Sequence, residues 1–302
     1  MSHLLEILLH DILPVFVAIG LGYGFARRNQ AELRTATRLT FYVLSPCLVF
    51  VSLIESNMDG GETAQIFLLV LLMVLIMGAL AWVTGRALQL TSRQLIGFLL
   101  AAMFVNAGNY GLGVTQLAFG DAAEARAVIY FVSSSILIYT LGTLIASGFK
   151  GGWRGAIKHL LRLPQIYALL AVFIIRAASW TVPEPIMEGL RLPAAATIPM
   201  MLLLLGIQLA QASVGQYWKA ASAGAALRLV VAPFLAVGLA GLLNLSGPAR
   251  QAGILEASMP AAVISTLIAN EYEAEPQLVT GTVLLSTLLS PISLSIIIAL
   301  LK

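Results

Sequence analysis

Ten apolar segments, each long enough to cross a bilayer, follow one another along the chain with little polar sequence between them. They lie at about 7–26, 33–54, 65–88, 95–119, 126–148, 164–181, 193–212, 220–243, 250–271 and 277–301. A hydrocarbon core takes about 20 apolar residues as helix, and lipid offers no partner to an open backbone. The chain is therefore expected to be an all-α polytopic membrane protein, with the bilayer as its main partner. Only 10% of the 302 residues are charged, and 59% are hydrophobic. A soluble surface needs about 25% charged residues. The longest polar interval runs from about Lys150 to Arg162, so no soluble domain is expected.

The same sparseness excludes several function classes. The 17 basic residues form no dense patch, so nucleic acid is not an expected partner despite a net charge of +3. Cys47 is the single cysteine, which leaves no intrachain disulfide and reads as a packing residue. His3, His10 and His159 are scattered, so no metal site is expected. Gly20, Gly22 and Gly24 form a G-x-G-x-G, but no strand precedes it, and close helix packing is the better reading. No H-E-x-x-H, G-x-S-x-G or P-loop occurs. The expectation is a non-enzyme without a cofactor. The first apolar stretch carries Glu6, His10 and Asp11 and no small-residue cleavage site, so it reads as a retained span.

Loop lysine and arginine set orientation. With the N-terminus outside, the inner side collects Arg27, Arg28, Arg34, Arg38, Arg86, Arg93, Lys150, Arg154, Lys158, Arg162 and Lys219. The outer side collects Arg126, Arg176, Arg191, Arg250 and Lys302. Both termini are thus expected to be non-cytoplasmic, in a plasma membrane (the inner membrane of a bacterium). Most loop acids also fall outside, although Glu271, Glu273 and Glu275 fall inside.

The two halves resemble each other. Pro14 and Pro164 are 150 apart, Pro46 and Pro199 are 153, Gly97 and Gly253 are 156, and Ser135 and Ser286 are 151. Four near-equal offsets in the same order suggest five helices duplicated. Five is odd, so the second set enters from the opposite face, an inverted repeat of the kind secondary transporters use. The expected division is 1–149 as the first repeat, 150–163 as a cytoplasmic linker and 164–302 as the second repeat.

The fourth segment holds Asn106, Gly108, Asn109, Gly111 and Gly113 in a stretch without charge from Arg93 to Asp121. Glycine and asparagine weaken a helix, and exposed polar groups in hydrocarbon cost several kcal/mol unless satisfied or wet. Glycine-mediated helix packing is the competing account. The ninth segment carries Ser258, Met259 and Pro260 at its middle, followed by Ala262. Proline removes a helical hydrogen bond. Paired interruptions in corresponding spans point to a substrate site. New half-helices beginning near Leu112 and Ala261 would aim two N-termini at the midplane, and such ends attract anions. Asn106, Asn109, Ser258 and Ser265 are the expected side-chain donors, with Ser45 and Ser133 to Ser135, Ser134 among them, behind these. Arg228 and Glu256 lie within spans, where a charge needs a partner. Either Arg228 attracts an anionic substrate and Glu256 carries a coupling proton, or each snorkels to an interface or joins an internal ion pair, though not with the other.

These residues resemble the auxin efflux carrier family, over essentially the whole chain. The likeness rests on Asn106 to Gly113, on Arg228 to Phe234, and on Ser258 to Tyr272 followed by Val279 to Leu294. It implies ten transmembrane helices as two inverted five-helix repeats, with crossed, broken fourth and ninth helices. The arrangement is similar to that of sodium–proton antiporters and bile-acid symporters. It implies transport of small organic anions by an elevator-like motion. A coupling ion, proton or sodium, is left open, as is a homodimer; a sodium- or proton-coupled exchanger of other solutes is the alternative. By position, Asn106 matches the family's fourth-helix asparagine and Pro260 its ninth-helix proline. Gly113 stands where the family often has proline. The stretch from Gln65 to Thr84 lacks the charges that plant exporters carry in the third helix.

Overall fold

The computed structural model describes residues 2–29, 33–148, 157–158, 160–213 and 215–302. Most of the expected linker at 150–163 therefore lies outside the described residues, as do Lys150, Arg154 and His159. Among the described residues there is no strand beyond one isolated β-bridge. Seven helices are long and apolar enough to cross a membrane: α1 Leu4–Arg28, α2 Leu33–Ile54, α3 Gly60–Ala87, α6 Asp121–Ala146, α8 Glu184–Ala210, α9 Gly215–Leu242 and α12 Pro276–Leu301. Shorter apolar helices are α4 Ser92–Met103 and α7 Pro164–Ala177. The fourth apolar segment is broken into α4 and α5 Leu112–Phe119, and the ninth into α10 Gly247–Ala257 and α11 Val263–Glu271.

Proline shapes several helices. In α1, α2 and α9 a π-turn, Leu8–Ile12, Thr40–Leu44 and Leu227–Val231, runs up to a short α-helical start holding Pro14, Pro46 or Pro233. A proline lacks the N–H and crowds the preceding turn, and the wider π-turn takes up the mismatch without ending the helix. Loop side chains start others. Asp59 accepts from the Glu62 amide at 2.7 Å to begin α3, and Thr91 with Gln94 forms a capping box on α4.

The helices pack as two neighbourhoods. Helices α1, α2, α7 and α8 form one, in which α8 lies against both α1 and α2, and α7 against α2. Helices α3, α4, α6, α9, α10, α11 and α12 form the other. Within the first, α1 and α8 approach through glycine. A Cβ on Gly22 would overlap the Leu203 carbonyl, and one on Gly206 would overlap the Ile19 carbonyl. Gly22 thus serves the packing expected of the G-x-G-x-G, whereas Gly20 and Gly24 face open space. Lys302 pairs with the buried Asp11 at 2.6 Å, so the two ends of the described chain lie on one face. That face also holds Arg126 on Glu62 at 2.8 Å, and Arg191 on Glu55 at 2.7 Å with Glu184 and Glu188 beside it. Arg176, at the end of α7, donates to the carbonyls of Leu53, Ser56 and Met58.

Candidate functional site

The broken segments cross through extended backbone. Phe104, Val105 and Asn106 run antiparallel to Pro260, Ala261 and Ala262. The Asn106 amide donates to the Pro260 carbonyl at 2.9 Å, and the Ala262 amide donates to the Phe104 carbonyl at 3.0 Å. The Ala261 amide donates to Ser286 Oγ at 3.1 Å, and Ser265 Oγ donates to the Leu100 carbonyl at 2.9 Å. These bonds satisfy backbone that would otherwise be orphaned in hydrocarbon. After the crossing, a π-turn at Ala107–Gly111 leads into α5, and α11 begins at Val263. The α-helix thus starts at Leu112 as expected, and the second one two residues beyond Ala261.

Four half-helix ends meet here, in two pairs. The C-terminal carbonyls of α4 and α10 converge on Arg228, which is 1% exposed. Its Nη1 donates to the Ala102 carbonyl at 3.3 Å and its Nη2 to that of Ala257 at 2.5 Å. Nε and Nη2 both donate to the Met259 carbonyl, at 3.3 and 3.1 Å. Arg228 neither snorkels nor joins an ion pair among the described residues. Backbone carbonyls hold it, and it does not line the cavity described next.

The N-terminal ends line a cavity of about 110 Å³. Ala107, Gly108 and Asn109 come from one start, and Ala262, Val263 and Ile264 from the other. The first N–H groups of a helical run have no intrahelical partner and carry the positive end of its dipole. Asn106 and Ser134 also line this space. Asn106 is 5% exposed and its Nδ2 has no hydrogen-bond partner. Across the cavity, α8 contributes Gln208, whose Oε1 is likewise buried and unpartnered. Apolar walls come from Phe131, Ile138, Met201 and Leu204. The cavity shares Thr37, Gln208, Val263 and Leu267 with a vestibule of about 520 Å³ whose rim carries Arg34 and Arg38 and, among the described residues, no acid. On the opposite side a cleft of about 720 Å³ reaches Gly113, between α1, α2 and α8 and the α5–α6 corner. Glu55, Asp121, Glu124, Arg126 and Arg191 line it.

Of the expected site residues, the structure brings Asn106, Gly108, Asn109, Ser134 and Ala262 together around one cavity. Gly113 faces the opposite cleft. Gly111 packs on the Glu256 carboxylate, which a Cβ there would overlap. Met259 and Pro260 act through their carbonyls, and Ser258 Oγ donates to the Ile254 carbonyl of its own helix at 2.7 Å. Ser45 accepts from Gln165 Nε2 at 3.0 Å, joining α2 to α7. Glu256 is fully buried in α10. Its Oε1 accepts from Thr115 Oγ1 at 3.0 Å, while Oε2 has no partner. Gln208 and Thr115 belong to no motif. Gln208 was visible only as one amide in the apolar run from Met200 to Leu209.

A family model described as "Membrane transport protein" matches residues 7–152 and 154–298. The chain is 27% identical to an uncharacterized transporter of Methanothermobacter thermautotrophicus, over 94% of this chain and 95% of that one. It is 24% identical to an uncharacterized transporter of Methanocaldococcus jannaschii, over 92% and 94%. It is also 23% identical to a Rhizobium meliloti protein named "Putative malonate transporter", over 92% and 91%. The family and these relatives are transporters, not enzymes, and the apolar helices make this chain a multi-pass integral membrane protein. With its broken, crossing segments and its match along nearly the whole length, the chain belongs to the membrane transport protein family that includes the auxin efflux carriers.

Proposed function

We propose that the chain is a secondary carrier of small carboxylates, binding them at the cavity where the π-turn at Ala107 and helix α11 begin. One observation carries the reading. Two helical N-termini converge on a space that Asn106 also lines, and the Nδ2 of that residue is buried without a partner. Converging N–H groups and positive dipole ends favour an anion. The cavity's small volume and apolar walls suit a short carbon chain, and malonate is the natural first candidate from the named relative. The seven long helices, the two shorter ones and the two broken segments are read as ten crossings in two inverted sets of five. The cavity and the opposite cleft both lie between the two helix neighbourhoods, so sliding one past the other would open the site to each face in turn. The vestibule at Arg34 and Arg38 is read as the cytoplasmic one, with both termini outside.

Thermal unfolding of the purified carrier against malonate, malate and monocarboxylates tests this, because a ligand of the folded state raises the midpoint. At least one carboxylate is expected to do so in a saturable way. Asn106→Ala is expected to weaken that ligand about tenfold, the scale of one hydrogen bond to a charged group. If no carboxylate shifts the midpoint, or if Asn106→Ala binds as the unaltered chain does, the site assignment fails.

Glu256 favours a second reading, in which transport is coupled to protons. A buried carboxyl with one donor on Oε1 and none on Oε2 has an open position for a proton next to the crossing.

A further inference from the structure

Arg228 poses a question that the carrier reading leaves unanswered. It is a buried cation within reach of the crossing, yet it lines no part of the cavity and touches no carboxylate among the described residues. A charge removed from water costs several kcal/mol unless something compensates it. The compensation here is three backbone carbonyls, Ala102, Ala257 and Met259, which take four guanidinium bonds. Ala102 belongs to the last turn of α4, Ala257 ends α10, and Met259 follows on the break. Each helix C-terminus carries about half a negative charge, so two of them offset about one positive charge. Local charge thus closes without an acid.

Unwound carbonyls and half-helix C-termini are also the groups that coordinate mobile cations in transporters with broken helices. In this chain a side chain already occupies them. The π-turn at Leu227–Val231 places Arg228 on the inner face of α9, towards the crossing, where the residue is almost fully enclosed.

We infer that Arg228 is the resident counter-ion of the crossing, a covalently held cation standing where a mobile alkali ion would otherwise bridge the two half-helix C-termini. It is a positioning residue: it fixes the carbonyl ends, and through them the N-terminal ends that line the cavity. On the carrier reading it also deepens the coupling scheme, because sodium has no vacant carbonyl site at these ends and is not required.

The test uses thermal unfolding of purified protein without any carboxylate, so it can fail while the carrier reading stands, and the reverse. For the unaltered chain, replacing sodium by N-methylglucamine at constant ionic strength is expected to leave the midpoint unmoved. Arg228→Ala is expected to lower the midpoint by about 5 °C or more, the scale of losing a buried charged network. Guanidinium at about 10–20 mM should recover much of that loss in a saturable way, as a ligand of the vacated site would. Urea, its neutral analogue, should not. Arg228→Lys keeps the charge and should lose less than Arg228→Ala. Arg228→Gln keeps donors without charge, and takes the place of Arg228→Ala if that variant does not fold. A sodium-dependent rise in the unaltered chain overturns the inference. So does an Arg228→Ala that guanidinium and urea affect alike, or an Arg228→Gln that unfolds with the unaltered chain.

Discussion

Residues around the crossing divide by what satisfies them. Backbone acceptors satisfy Arg228, and one threonine satisfies half of Glu256. Asn106 Nδ2 and Gln208 Oε1 have no partner. An unsatisfied buried polar group costs about 1–3 kcal/mol, and a carboxylate can relieve that cost only at the Asn106 donor, since it has no proton to give the Gln208 oxygen. Glu256→Gln carries its own prediction, because it keeps the size and removes the titratable site. Malonate uptake into proteoliposomes driven by an imposed pH gradient is expected to fall to the ungraded level. Exchange of malonate for malonate without a gradient should persist. Gradient-driven uptake that survives the substitution removes Glu256 from coupling. The place of Asn106 at the break was legible in the sequence, because an amide followed by three glycines within seven residues weakens a helix in a chargeless span. The holders of Arg228 were not, because a carbonyl acceptor is the same at every residue and leaves no trace in side-chain identity. Ser45 misled for a related reason: its partner, Gln165, lies 120 positions away on α7.

At the level of elements, length and apolarity were enough to place the helices, because the bilayer tolerates little else. Ends shifted by a few residues where polar caps outlast the apolar run, as at α3, which starts at Gly60 behind the Asp59 cap. Both breaks were legible from glycine, asparagine and proline. The extended pairing between them was not, since each segment supplies only one side of it. Glycine had two roles that spacing alone could not separate, close approach at Gly22 and Gly206 and a seat for a carboxylate at Gly111. The pair α1 and α8 depends on the first. Gly206→Val is expected to push these helices apart and cost about 1–3 kcal/mol, the usual scale of overpacking. A lowered unfolding midpoint checks this, and an unchanged midpoint removes the contact as a support. Gly20→Val, facing open space, should leave the midpoint unchanged.

Across the whole molecule, charge is distributed unequally between the two faces. On the face shared by Asp11 and Lys302, Arg126, Arg191 and Lys302 are each paired with acids, and Arg176 is held by carbonyls. On the other face, Arg34 and Arg38 form no ion pair among the described residues and stand at the vestibule rim. A simple count of loop cations therefore understates the asymmetry, because most of the cations on the Lys302 face are already paired with acids. Cations at a rim raise the local concentration of anions, and salt weakens the effect. Replacing both Arg34 and Arg38 by Gln is expected to raise the KM for malonate entering from that face, by a few-fold at low ionic strength. The difference should shrink towards none at high salt, while kcat stays within about twofold, as expected for long-range attraction alone. A KM change that ignores salt would place the arginines in direct contact with substrate instead.

The antiparallel bridge at Val105 and Ala261 has a mechanical consequence. Its two bonds are reciprocal: each segment gives one amide and one carbonyl to the other. Arg228 is bolted to both segments from behind. Neither can be drawn away without breaking both amide–carbonyl hydrogen bonds and the guanidinium hydrogen bonds together. The two breaks are thus joined as one unit rather than standing as two separate hinges.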